Sequence, residues 1–549
     1  MNAIDRVEAT FRTLGFQRQV GRDSPTYAGN LRAGKISVPV QVEVPDPGFL
    51  DLPVVRIADS FLRQGLVRGH LAEGNALCYA DSNMLLLDRY QPAESIQLVL
   101  NLAADTLKSI LHDNVDPAIQ AEITAYWKGK PYLLIDDPRQ LRTGCLAGIS
   151  WDGDTHTSVI AEHKERLEQW CQKTGAECAI ESDAALVQVV GDIPPPPILT
   201  NYGVAIDWVL SLNISPDLSH DVLFGSANKP PAVVVVGNNG VVGFTPLAND
   251  LIRQASTGKG FRQSATNRLW RTEAGNLKVA RFHGRMADHK ELISRNTNQL
   301  PPLAGKRIAL VGCGTIGGYL ARMLVQNGAG FDGTLVLIDH QLFLPENSGR
   351  HILGIECSGL IKSRSLAKRL NRDFPDASID AIISPIQKCW GQFRHFDLVI
   401  DATGMEQVSS ALNNYARQMR VDDSYPPVLY TMIFGNGIAV QTFLNRVGND
   451  EACYKCLKPR FDQPWRFNPV KSNRVAVRMA VRPCSVGAFT PYSVEASVSA
   501  ATLALRHVLD VFTGDGRPTL RTRAVVSKHA VNINDKTVAK SDHCPECND

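Results

Sequence analysis

The 549-residue sequence predicts a multidomain α/β protein: an N-terminal α+β domain, a middle linking domain, and a C-terminal Rossmann-like nucleotide-binding domain with a structural metal site. Three observations predict it. The chain is longer than one ordinary hydrophobic core serves, so it divides. From Lys306 a strand, a glycine turn and a helix follow one another, and strand continues to alternate with helix, the pattern of a parallel sheet. Two Cys-x-x-Cys pairs, Cys453/Cys456 and Cys544/Cys547, lie in that same part.

Composition narrows the function. A hydrophobic content of 44% and a charged content of 21% are those of a soluble globular protein. The net charge of +3 is small for this length and no dense Lys/Arg block occurs, so neither nucleic acid nor a membrane surface is an expected partner. Apolar stretches such as 232–237 and 307–312 are far too short to span a bilayer. The N-terminus opens an amphipathic helix without the apolar run of a signal peptide, so a cytoplasmic location is expected. In a reducing compartment the 12 cysteines are thiols available as ligands, nucleophiles or core residues.

Three segments follow in order, 1–130, 131–295 and 296–549. After the first helix, alternating runs from Thr26 and from Ile36 read as a meander of short strands, with a further strand from Val54. Near Pro92 the period changes to that of a helix. The middle segment holds the proline stop Pro194 to Pro197 and a strand–turn–strand from Val233 to Phe244 whose Asn-Gly suits a tight hairpin. It carries no chemical motif and reads as a linker or docking domain.

In the third segment Gly312, Gly314 and Gly317 form GxGxxG between a strand and a helix, which lets the backbone approach a phosphate at the helix N-terminus. A second strand ends at Asp339, an acid placed for ribose hydroxyls. These features alone suit a dehydrogenase as well as other nucleotide users. Asn347, Arg350, Lys362 and Asp401 then follow in order. A nucleotidyl transferase needs such a set, because cations neutralise charge on the phosphates while an acid holds magnesium. Each residue taken singly reads equally well as a solvated charge.

The two Cys-x-x-Cys pairs supply the four thiolates of a closed tetrahedral zinc site, against the alternative of two unrelated pairs. Cys484 lies between them, flanked by Arg482 and small residues that favour an exposed thiolate. A buried inert cysteine is the other reading there.

From Lys306 onward the chain resembles the ThiF/MoeB superfamily of adenylating enzymes, which includes the ubiquitin-activating enzymes. The resemblance implies ATP with Mg2+, Asp339 on the ribose, Asn347, Arg350 and Lys362 on the phosphates, Asp401 on magnesium, and Cys484 as the thioester-forming nucleophile. Its Asp-x-Asp is Asp339-His-Gln341 here, so the second acid is missing. The arginine that the family often borrows from a neighbouring subunit would be Arg295, and a homodimer is implied. The stretch from His70 through Gly74 and Leu77 to Cys78, before Pro92, resembles the ubiquitin-conjugating fold with Cys78 at the catalytic position. Leu71 follows His70, so the eukaryotic His-Pro-Asn is absent, and Asn75 is the candidate for its asparagine. A core cysteine on a strand is the alternative for Cys78. Tyr126 and Trp127 resemble packing residues that follow bacterial versions of this domain.

Together the order resembles the fused conjugating and activating enzyme of bacterial anti-phage cyclic-oligonucleotide signalling (CBASS) operons. That implies ATP-dependent activation of a protein C-terminus, with thioesters on Cys484 and then Cys78 and transfer to a target lysine. The activated protein would be a cyclic-oligonucleotide synthase. Two alternatives stand beside it: an activator of a ubiquitin-like or sulfur-carrier protein, and a zinc-containing Rossmann oxidoreductase.

Overall fold

The computed structural model of the chain describes residues 3–21, 24–58, 70–71, 75–80, 85–112, 123–127, 129–151, 153, 155–197, 199–214, 223, 231–247, 270, 272–297, 301–419, 425–446, 451–471 and 490–548. These form two compact units, residues 1–167 with 178–286, and residues 168–177 with 287–549.

The first unit opens with α1 (Ala3–Thr13) and an antiparallel sheet of β1 (Gln17–Arg18), β2 (Thr26–Ala33), β3 (Ile36–Glu43) and β4 (Val54–Ile57), paired in chain order. The predicted alternation is present: Val38, Val40 and Val42 of β3 are buried and the residues between them are not. The helix α2 (Pro92–His112) covers that face with Ile96, Val99, Leu100, Ala103, Leu107 and Ile110, an i, i+3, i+4, i+7 stripe. Phe11 of α1 stacks on Tyr27 with ring centres 4.1 Å apart.

A short helix α3 (Ile123–Tyr126) precedes a seven-stranded closed barrel. It is built from β5 (Lys130–Leu134), β6 (Thr143–Trp151), β7 (Thr155–Ala161), β8 (Glu177–Gln188), β9 (Ala232–Gly237), β10 (Gly240–Pro246) and β11 (Val279–Met286), closing in the order β10-β11-β5-β7-β6-β8-β9. The helices α4 (Lys164–Thr174) and α5 (Tyr202–Ser211) lie between strands in sequence. One face of the strands gathers Leu146, Ile160, Leu186, Val234, Val236 and Phe282. The other packs Val233, Val235, Val242 and Phe244 with Ile206 and Trp208 of α5. Trp127 belongs to this second cluster, and its indole N–H donates to the Gly243 carbonyl at 2.9 Å. The predicted hairpin is there, with Gly237 paired to Gly240 across Asn238 and Asn239.

The second unit is a seven-stranded sheet in the order β14 (Ile379–Ile382), β13 (Thr334–Ile338), β12 (Arg307–Val311), β15 (Leu398–Asp401), β16 (Val428–Phe434), β17 (Ala439–Asn445) and β18 (Leu520–Ala524). The first five are parallel, and β17 and β18 return antiparallel. The helices are α6 (His289–Thr297), α7 (Thr315–Val325), α8 (Lys362–Asp373), α9 (Glu406–Met419) and α10 (Val494–Thr513). Strand order reverses at β12, which has β13 on one side and β15 on the other. In such sheets ligands bind beyond the carboxyl ends of the strands at that point.

The helix α10 buries Ala496, Ala500, Ala501 and Ala504, small residues that admit a close helix. It also buries His507, whose Nε2 donates to the Gly516 carbonyl at 2.9 Å while Nδ1 accepts from the Thr442 hydroxyl at 3.0 Å. Burial, assisted by the Arg521 cation, pulls its pKa from 6.5 down to about 4. The unfolded chain therefore takes up this proton first as pH falls, so the contribution is intact above pH 6.5 and declines down to about pH 4. At about 1.4 kcal/mol for each tenfold in proton affinity, the loss approaches about 3 kcal/mol. Thermal melts should hold steady above pH 7 and drop between pH 6.5 and 4.5. His507→Gln should melt lower at pH 7 and show a shallower decline; an identical slope would remove His507 as the cause.

Among the described residues no helix is long and apolar enough to cross a membrane.

Candidate active site

The glycine turn follows β12. Gly312 has φ +87°, and a Cβ there would stand 2.9 Å from the Thr403 amide nitrogen. At Gly317 a Cβ would fall 1.8 Å from the Gly312 carbonyl oxygen, so the start of α7 can pack on the turn only without a side chain. Gly314 differs: a Cβ would meet nothing within 4 Å, and no side chain caps the helix it begins. Gly312 and Gly317 serve close packing, and Gly314 leaves the N-terminus of α7 open to a ligand.

Two cavities meet at this turn, sharing Gly314, Ala402 and Thr403. The smaller, about 310 Å3, is lined by Gly312, Ile338, Asp339, Gln341, Met405 and Val408. The larger, about 430 Å3, has Thr315, Asn347, Arg350, His351 and Lys362 together with the apolar Met432, Phe434, Tyr454 and Trp465. An adenosine-sized group suits the first; phosphates beside cations, continuing into an apolar channel, suit the second.

Asp339 is held by two backbone amides, Cys313 N–H on Oδ2 at 2.9 Å and Gln341 N–H on Oδ1 at 2.8 Å. A carboxylate has about four acceptor sites, so capacity remains for ribose hydroxyls. Lys362, only 8% exposed, donates to Gln341 Oε1 at 3.0 Å. Burial lowers its pKa and the Asp339 charge opposes that. The departure from Asp-x-Asp thus acquires a consequence: a neutral Gln341 orients the ammonium without cancelling its charge.

Asn347 caps its own turn, Oδ1 accepting from Leu344 N–H at 2.9 Å. The Arg350 guanidinium lies 4.4 Å over the Tyr492 ring. His351, which the sequence did not single out, donates from Nε2 to the Cys313 carbonyl at 2.8 Å and accepts Leu353 N–H on Nδ1 at 3.0 Å. It ties the Asn347–Arg350 turn to the glycine loop, and burial lowers its pKa, keeping it neutral.

Asp401 ends β15 almost wholly buried. Its Oδ1 accepts Thr403 N–H at 2.9 Å and the Thr403 hydroxyl at 2.7 Å, and its Oδ2 accepts the Ser409 hydroxyl at 2.5 Å. Burial pushes its pKa up against those three donors. Asp401 lines neither cavity, whereas Thr403 lines both. With about one acceptor site left it suits a single bond to Mg2+, an ion that takes its other ligands from phosphates and water. Arg295, on the last turn of α6, is exposed and also lines neither cavity.

Cys453, Cys456, Cys544 and Cys547 converge, their sulfurs all within 4.8 Å of one another. Adjacent pairs stand at 3.9, 3.6 and 3.5 Å. Four sulfurs at about 2.3 Å from zinc would be about 3.8 Å apart, so the residues fit that ion. Ser541 N–H donates to Cys456 Sγ at 3.4 Å, an outer contact suited to a thiolate. Between the first pair, Tyr454 N–H donates to Asn413 Oδ1 on α9, which fixes a residue of the larger cavity.

Cys78 is exposed. Leu77 beside it is buried and donates its N–H to the Val55 carbonyl at 2.7 Å, so the segment is anchored and the thiol emerges at its end. Cys78 N–H donates to the His70 carbonyl at 2.7 Å. His70 and Asn75 both take left-handed backbone, with φ of 58° and 57°. Cys484 lies outside the described residues.

Residues 293–548 match the ThiF family, and residues 4–133 match prokaryotic E2 family B. The chain is similar to the ATP-dependent ubiquitin transferase-like protein Cap2 of Pseudomonas aeruginosa, 29% identical over 97% of this chain and 95% of that protein. Its namesakes from Escherichia coli (26%, over 94% and 92%) and Vibrio cholerae (28%, over 81% and 81%) are also similar. Among solved structures, E. coli MccB with ATP is 17% identical over 47% of this chain and 68% of that one, with a TM-score of 0.33.

Proposed function

For a chain that joins a prokaryotic E2 family B domain to a ThiF domain, and is therefore an ATP-dependent ubiquitin-like conjugating enzyme, we propose a two-thiol relay. One observation carries it: two cavities share the glycine turn at the switch point, and Lys362 and Arg350 line the larger one near the turn. ATP lies with its ribose at Asp339 and its phosphates at Asn347, Arg350 and Lys362. The C-terminus of a protein substrate enters through the apolar part of the larger cavity. Its carboxylate attacks the α-phosphorus and pyrophosphate leaves, taking the charge that Arg350 and Lys362 stabilise. Asp401 would hold Mg2+, and the ion would add to the neutralisation of phosphate charge.

The Cys484 thiolate then attacks the acyl carbon and AMP leaves. The Cys78 thiolate takes the acyl group by thioester exchange, and a lysine amine of the target attacks that thioester, losing a proton and freeing the thiol. The exposure of Cys78 supports its part, since both a bulky acyl donor and an amine must reach it. Asn75 is the candidate donor to the oxyanion, and Zn2+ on Cys453, Cys456, Cys544 and Cys547 is structural. The domains we assign are 1–130 for conjugation, 131–295 for docking and 296–549 for adenylation. The setting we infer is cytoplasmic anti-phage defence, as a homodimer acting on a cyclic-oligonucleotide synthase.

ATP–pyrophosphate exchange tests the adenylation step. Exchange should depend on the free C-terminus of the substrate protein. Lys362→Ala should lower its rate roughly 100-fold or more, the scale of losing a charge stabiliser of the transition state. An unchanged rate in that variant would sink the assignment of Lys362.

A further inference from the structure

Tyr492 lies eight residues beyond Cys484 and two before the first residue of α10, and its ring enters the phosphate end of the larger cavity. Four contacts fix it and Pro491 before it. The Arg350 guanidinium sits 4.4 Å over the ring centre. The phenol oxygen is 3.1 Å from Oγ1 of Thr315, the first residue of α7. Behind it, the Pro491 carbonyl accepts from Asn436 Nδ2 at 2.9 Å, and Gly437, with φ +87°, approaches so closely that a Cβ there would be 3.1 Å from the Tyr492 Cβ.

An arginine side chain loses rotamer freedom when it is ordered, so a guanidinium that must meet phosphates gains from being placed beforehand. A carboxylate could place it, at the cost of cancelling its charge. An aromatic face places it with the charge left whole, since the ring offers only a quadrupole. The hydroxyl contact with Thr315 fixes the ring's orientation and refers it to the helix N-terminus where phosphate would lie.

We propose that Tyr492 is a positioning residue for adenylation, holding the Arg350 plane across the phosphate end of the cavity. Pro491 and Tyr492, which lead into α10, are thereby tied to the phosphate site. The inference rests on the reading of Arg350 as a phosphate ligand.

Affinity of the full-length chain for the magnesium complex of a non-hydrolysable ATP analogue, measured by calorimetry, needs no acyl substrate. Arg350→Ala should weaken binding. Tyr492→Leu should weaken it about fivefold, the scale of a partly desolvated cation–π contact. Tyr492→Phe, which keeps the ring, should stay within about twofold. Combined with Arg350→Ala, Tyr492→Leu should add nothing further, because its effect passes through the guanidinium. Fully additive losses, or Phe as damaging as Leu, would overturn the proposal. Wild-type affinity in Tyr492→Leu beside a weakened Arg350→Ala would overturn it and leave the phosphate reading standing. Wild-type affinity in Arg350→Ala would overturn that reading itself. Tyr492→Met, similar in reach and ringless, serves if the Leu variant does not fold.

Discussion

Cys484→Ala is expected to abolish every thiol-labile adduct formed with ATP·Mg and the substrate protein, while Cys78→Ala should stop the acyl group at the first thioester. Intact mass without reductant reads both. The argument is chemical. An acyl adenylate is open to attack by water as well as by an amine, whereas a thioester keeps the acyl group activated and resists water better, so two thiols divide one demanding step. Carrying both thiols on one chain raises the effective concentration of the second at the first, to the millimolar range for a linker that reaches. Pyrophosphate exchange should survive in Cys484→Ala, because the adenylate forms before any thiol acts. Loss of loading by roughly 100-fold with exchange intact would identify Cys484 as acceptor rather than scaffold. Two results would count against the relay: Cys78 loading in the absence of Cys484, and target conjugation at the wild-type rate in Cys78→Ala. The second would favour an activating enzyme that hands its product to a separate protein.

The parts legible in the sequence were those whose constraint is local. Gly312 and Gly317 announce themselves because backbone would occupy the place of a Cβ, a restriction confined to one short stretch of chain. Alternation in β3 was readable because only one face of its sheet is buried. In the barrel both faces are covered, so β9 is an unbroken Ala-Val-Val-Val-Val and its period disappears. The closed barrel is therefore invisible behind a segment that reads as a linker or docking domain. The site divides in the same way. Asp401 was legible as an acid at a strand end. Its near-total use by Thr403 and Ser409 was not, because those partners arrive from the following turn and from α9. His351 and Tyr492 gain their places from tertiary approach alone. His351 was adjacent to Arg350 in sequence, and a histidine beside a phosphate-binding turn was the one signal available for it.

Purified protein is expected to contain one zinc per chain, and Cys456→Ser should lose it together with the stability of the C-terminal unit. The four sulfurs already stand at the corners of a zinc-sized tetrahedron, and four thiols in that space without a cation would be packed against one another for no gain. Structural zinc binding carries on the order of 10 kcal/mol. Even a modest share of that, withdrawn from the C-terminal unit, should lower its melting temperature by roughly 10 °C or more. The loss should spread to the active site by a definite route. Asn413 on α9 accepts Tyr454 N–H from between the first two ligands and Asn445 Nδ2 from β17, at 2.9 and 2.8 Å. The same helix carries Ser409 to Asp401, and Tyr454 itself lines the larger cavity. Slack at the cysteines therefore loosens the acid and one wall of the channel together, so affinity for the ATP analogue should fall alongside the melting temperature. Cys357→Ser, a half-buried thiol outside the cluster, should leave metal content and melting unchanged. Elemental analysis and thermal melts with and without a chelator decide the matter. A Cys456→Ser protein that keeps its zinc, or a zinc-stripped chain that melts as before, would mean that these four thiols hold the fold by packing alone.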